Sequence, residues 1–103
     1  MVTSTISEHD QRQLSRMFER LEMFEKEKIS LGVLISDIEF LLGALEAVDH
    51  RMKQSLRERW CVLEEIYSVA RVMKAGRLSP DDESAIRDTV KMLQARVAEI
   101  AGM

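Results

Sequence analysis

One cysteine, one proline and four glycines in 103 residues leave few ways to build a chemical site. Cys61 alone forms no disulfide within the chain, and its solitude fits a reducing compartment. The glycines at 32, 43, 76 and 102 never cluster, which excludes a phosphate-cradling loop. His9 and His50 have no His, Cys or carboxylate partner at a zinc-motif spacing, and Asp10 beside His9 reads as ordinary surface composition. A nucleophile with a base is missing too: no histidine lies near Cys61. Glu64 and Glu65 are adjacent and so point to different faces of a helix.

No run alternates with the period of a strand, and no Asn-Gly or Asp-Gly turn occurs. Excess positive charge is lacking as well, since the net charge is −3, so broad electrostatic binding to nucleic acid is not expected. The basic residues between Arg51 and Arg77 scatter around their helix, with no aromatic expected among them on its exposed face. The opening carries Glu8, Asp10, Arg12 and Arg16 and no apolar run, the pattern of a chain without a secretory signal. Asp37, Glu39 and Glu46 interrupt the apolar stretch 31–48, and each carboxylate costs about 3 kcal/mol in lipid, which argues against a membrane span. The expectation is a cytoplasmic, non-catalytic protein with no cofactor, metal, nucleic-acid or membrane partner.

What the chain does contain is helical periodicity. Hydrophobic residues make up 46% and charged residues 32%, the balance of one folded helical domain over residues 1–103. After a polar, frayed start over 1–8, Leu14, Met17, Leu21 and Phe24 alternate spacings of three and four, with Phe18 widening the seam. This predicts a first helix over about 10–28. Ser30 caps a second over about 31–47, and Asp49 caps a third over about 50–75 whose stripe is Met52, Leu56, Trp60, Leu63, Tyr67 and Ala70, with Ile66 at its edge and Met73 at its end. Gly76 is its expected C′ residue. Ser79-Pro80-Asp81-Asp82 is the sharpest local signal: a cap, a pre-set φ and two acids at the positive end of the dipole start a fourth helix over about 80–101. Short connections make the four helices antiparallel neighbours, an all-α, four-helix, up-down bundle.

Charge divides between the middle helices. Residues 29–50 hold Asp37, Glu39, Glu46 and Asp49 and no Lys or Arg, whereas 51–78 hold seven basic residues against three acidic ones. Antiparallel packing predicts exposed pairs between the Glu46/Asp49 end and Arg51 and Lys53. Cys61 projects about 100° from Trp60, onto the polar side with Arg57 and Glu64.

The second helix is apolar on two faces. Leu31, Leu34, Ile35, Ile38, Leu41, Leu42, Leu45 and Val48 form a core stripe, while Val33, Phe40, Gly43, Ala44 and Ala47 fall opposite. Either this helix is central and Phe40 packs on the first or fourth helix, or Phe40 is offered to a partner. In the second case Phe40 and Gly43, flanked by Asp37, Glu39 and Glu46, make an aromatic anchor with an acidic rim, the composition that protein interfaces use. A homo-oligomeric scaffold or regulatory adaptor is the alternative, because the narrow seams of the first and fourth helices also suit pairing between subunits, as in a homodimer.

Residues 29–70 carry a pattern found in small bacterial proteins: an I-x-L-x-x-L-I-x-D-I-E opening in Ile29, Leu31, Leu34, Ile35, Asp37, Ile38 and Glu39, then Leu45-Glu46, then W-x-x-L-E-E-x-Y-x-x-A in Trp60, Leu63, Glu64, Glu65, Tyr67 and Ala70. The stretch resembles immunity proteins of polymorphic-toxin and contact-dependent growth inhibition systems, which are toxin–antitoxin-like pairs. It departs from them at Cys61, where members carry a second aromatic after the tryptophan. The resemblance implies a cytoplasmic protein that binds and neutralises one cognate toxin domain; the residue pattern of the second helix offers Asp37, Glu39, Phe40, Gly43 and Glu46 as the contacts.

Overall fold

A computed structural model describes residues 6–102; the start of the expected frayed segment, residues 1–5, lies outside them. Four helices make up the fold: α1 (Glu8–Glu25), α2 (Leu31–Ala44), α3 (His50–Met73) and α4 (Pro80–Ala101). Helices adjacent in the chain pack on one another, α1 and α4 close the ring, and the backbones of diagonal helices stay apart among the described residues. Cross-links between neighbours show the antiparallel sense. Gln11 donates to the Ala101 carbonyl at 3.0 Å while Gln94 donates to Glu25 at 2.7 Å, and Arg96 reaches Ser55 while Lys74 reaches Asp82. The expected up-down bundle is therefore the observed architecture.

Local chemistry sets the starts of the helices. Ser7, Ser30 and Ser79 each accept a backbone N–H from three residues on, and Asp49 accepts that of Arg51. At Ser79 the cap is reciprocal, because Asp82 accepts the Ser79 N–H in a capping box. Lys74 donates to Asp82 and, with the Ser79 amide, holds that carboxyl below its usual range. The helix ends depart further from expectation. α1 stops at Glu25 rather than about 28, as Glu27 turns to φ +59° and the Lys28 amide folds back to the Met23 carbonyl. α3 stops at Met73 rather than about 75, and Ala75 as well as Gly76 takes a positive φ while the Gly76 amide bonds to Ala70.

The core is one layer of leucine, isoleucine and valine along the bundle axis. Leu14, Met17 and Leu21 from α1 meet Leu34, Ile38 and Leu42 from α2 and Val90, Leu93 and Val97 from α4, all at most 1% exposed. Each such side chain contributes roughly 1.5–3 kcal/mol on burial. The α1 and α4 seams are thus spent inside the chain and are not available for pairing between subunits. α3 contributes less than its stripe predicts: only Leu56, Leu63 and Ala70, seven residues apart, are fully buried. Trp60 and Tyr67 pack partly against the core, and Met52 and Met73 are exposed, at 40% and 76%. At the Met73 end the reason is length: α3 has 24 residues against 14 in α2, and with Gly32 level with Tyr67, Met73 lies past the start of α2.

The largest correction concerns the end of α2, which stops at Ala44 rather than at about 47. A continuing helix would need the amides of residues 46–48 for the carbonyls of residues 42–44. Asp10 takes those amides instead: Oδ1 accepts from Glu46 at 2.8 Å, and Oδ2 accepts from Ala47 at 2.6 Å and Val48 at 2.8 Å. His9 completes the diversion, its Nε2–H donating to the Ala44 carbonyl at 2.8 Å. Asp10 is not surface composition; it is 0% exposed. Burial pushes its carboxyl up, but the three amides and the neighbouring His9 outweigh this and hold it below the ordinary range. With Gln11 on Ala101, three successive residues of α1 tie one end of the bundle together.

Candidate interaction surface

α2 lies flat against the bundle by its Leu34, Ile35, Ile38, Leu41 and Leu42 face, which fixes what its other face shows. Phe40 is 73% exposed and Val33, seven residues earlier on the same side, is 46% exposed. Phe40 therefore packs on neither α1 nor α4. Gly43 is exposed, with nothing within 4 Å of where a Cβ would stand, so the backbone one turn from Phe40 is open to close approach. Glu39 is exposed on the side of this face that turns toward α3.

The remaining sequence-derived contacts are not gathered with these. Asp37 points to the α1 side, where it pairs with Arg20 at 3.5 Å. Glu46 and Ala47 lie beyond the helix, in the loop that Asp10 holds, with both residues exposed. The acidic rim is therefore Glu39 on the helix and Glu46 at its end, with Asp37 on the far flank. Expected ion pairs from Glu46 and Asp49 to Arg51 and Lys53 do not form. The ion pairs among the described residues are Arg20–Asp37, Lys74–Asp82 and Arg96–Glu99, and Lys53 instead reaches the Leu45 carbonyl at 3.4 Å. Glu46 is consequently left with its charge toward solvent.

Behind this surface, α2 is pinned to α3 by two contacts that periodicity does not reveal. The Trp60 indole N–H donates to the Ile35 carbonyl at 2.9 Å. Tyr67 lies so close to Gly32 that a Cβ there would stand 2.6 Å from its Oη, so any larger residue must push the tip of the tyrosine aside. Cys61 is exposed on the polar side of α3, as its angular position predicts. A concavity of about 460 Å³ is a cleft between the end of α1 and the first half of α4, floored by Phe24, Leu78, Ile86 and Val90. Among the described residues no three His, Cys, Asp or Glu side chains converge as a metal set, and no helix is long and apolar enough to cross a membrane.

The chain matches no family model, no curated protein and no solved structure.

Proposed function

We propose that this chain is a non-catalytic protein-binding module of the cytoplasm whose contact surface is the outer face of α2. The observation that carries the reading is the 73% exposure of Phe40 on a helix whose opposite face is buried. An aromatic side chain held in water by a rigid helix loses little conformational freedom on docking and brings a large apolar area to an interface. Gly43 leaves room for a partner's backbone, and Glu39 and Glu46 favour a basic one.

The resemblance of residues 29–70 to immunity proteins supplies the partner class: a cognate bacterial toxin domain, neutralised by covering its active site or its own partner surface. A basic nuclease-type toxin suits the charge of the rim. The test is co-expression with the C-terminal region of the protein encoded immediately upstream, read as growth rescue and co-purification. Rescue with a stable complex, weakened by Phe40→Ala and by charge reversal at Glu39 and Glu46, is the expected result. Toxicity without rescue, or a complex indifferent to these changes, refutes the assignment. The homo-oligomeric scaffold or adaptor is the second reading, favoured by the apolar row that α3 leaves uncovered.

A further inference from the structure

α3 carries a second seam beside the one it buries. Val62, Ile66, Val69 and Met73 follow at spacings of four, three and four, the pattern of knobs that pairs one helix with another. Ile66 is half-buried against the core, but Val62, Val69 and Met73 are 40%, 46% and 76% exposed, and Val72 beside them is 80% exposed. Arg59, one step further along the seam, opens onto a groove between α3 and α4 that also contains Met92, itself 50% exposed. The exposed parts of these valines and methionines amount to roughly 500 Å², toward the upper end of the largest apolar patch on a typical monomer.

We infer that this seam is the interface between two copies of the chain, packed antiparallel across a two-fold axis. The spacing reads identically in both directions, so an antiparallel copy places Val62 against Met73 and Ile66 against Val69, each twice, and every layer is apolar. The same register carries Arg59 just beyond Met73 of the other copy, where its helix has ended. It also sets Glu58 level with the Lys74–Arg77 stretch, whereas a parallel pair would stack Glu58 on Glu58. With its polar rim the patch approaches the ~800 Å² per partner of a standard interface. The Phe40 face is not part of this contact, and the inference does not rest on the function proposed for it.

Analytical ultracentrifugation of the full chain tests this. The wild type, 11.9 kDa per chain, sediments as a dimer at tens of micromolar. Val69→Glu/Met73→Glu raises the dimer dissociation constant at least thirtyfold and yields monomer, with helical circular dichroism retained because both side chains lie outside the core. Should that variant lose its fold, the register is read directly: in a Cys61→Ser background, Val62→Cys/Met73→Cys cross-links two copies between unlike positions on mild oxidation. A wild type that stays monomeric above 100 micromolar overturns the inference. So does a dimer untouched by the charged substitutions, or a Val62→Cys single variant that cross-links to itself.

Discussion

Removing the Asp10 carboxylate should be the most costly single change available to a polar residue of this protein. Asp10→Ala leaves the amides of Glu46, Ala47 and Val48 without their acceptor and frees the loop between α2 and α3 from α1. A hydrogen bond to a charged group contributes about 1.5–3 kcal/mol. The three do not sum fully, because Glu46 and Ala47 are exposed and water can replace part of what is lost. The expected destabilisation is about 3–4 kcal/mol, which at roughly 4–8 °C per kcal/mol for a domain near this size lowers Tm by about 12–32 °C. Asp10→Asn keeps one oxygen for two of the amides but turns an NH2 group toward the third, and should cost about 2–3 kcal/mol.

The pH dependence gives a second reading of the same interaction. The folded-state pKa of Asp10 lies below its ordinary value of 3.8, so folding favours the charged form. That stabilisation is complete above 3.8 and drains away as pH falls through the lower folded-state value. Denaturant titrations followed by circular dichroism at pH 7 and at pH 2.5 measure both effects. The gap between wild type and Asp10→Asn should shrink in acid, because below 3.8 the unfolded chain takes up a proton that the folded carboxylate resists. A loss under about 1 kcal/mol at pH 7, or a gap as wide at pH 2.5 as at pH 7, would refute this account of the loop.

Three further outcomes can be checked by the same titrations. Gly32→Ala should destabilise by about 1 kcal/mol despite the better helix propensity of alanine, since the new methyl meets the Tyr67 ring, and Tyr67→Phe in the same chain should remove most of the penalty. Leu42→Ala, at a position 0% exposed, should cost about 2–5 kcal/mol, whereas Phe40→Ala should shift stability by less than about 0.5 kcal/mol; a large loss at Phe40 would mean that its ring packs internally. Trp60→Phe should cost about 1 kcal/mol from the lost bond to Ile35, and the fluorescence of this single tryptophan should report separation of α2 from α3 on unfolding.

Periodicity and caps made the architecture legible because both are local. Spacings of three and four in Leu14–Met17–Leu21 and in Ile86–Val90–Leu93–Val97 mark buried faces wherever the helices end up, and the structure buries them. Ser30, Asp49 and Ser79 need only their next three residues to start a helix, and each one does. The second apolar face of α2 was also visible. Its exposure was not, since Phe40 at position 40 says nothing of whether a fourth helix covers it; the ring closure of α1 on α4 decides that it is left in water. Asp37 and Glu46, adjacent to that face by helical angle, are carried off it by an ion pair to α1 and by the end of the helix.

The sequence by itself determined the number and class of elements, three of the four caps at their starts, and the identity of most core residues, because those follow from contacts within one or two turns. Only the tertiary structure decided where α2 stops, what Asp10 does and why residue 32 is glycine. Asp10 reaches amides 36 to 38 residues away, and Gly32 meets a tyrosine on the next helix. In both cases the partner is brought near by packing, and packing competes with local preference: the helix that residues 45–47 would continue gives way because a buried carboxylate, already fixed by α1, binds the amides of residues 46–48 more strongly than the helix carbonyls do.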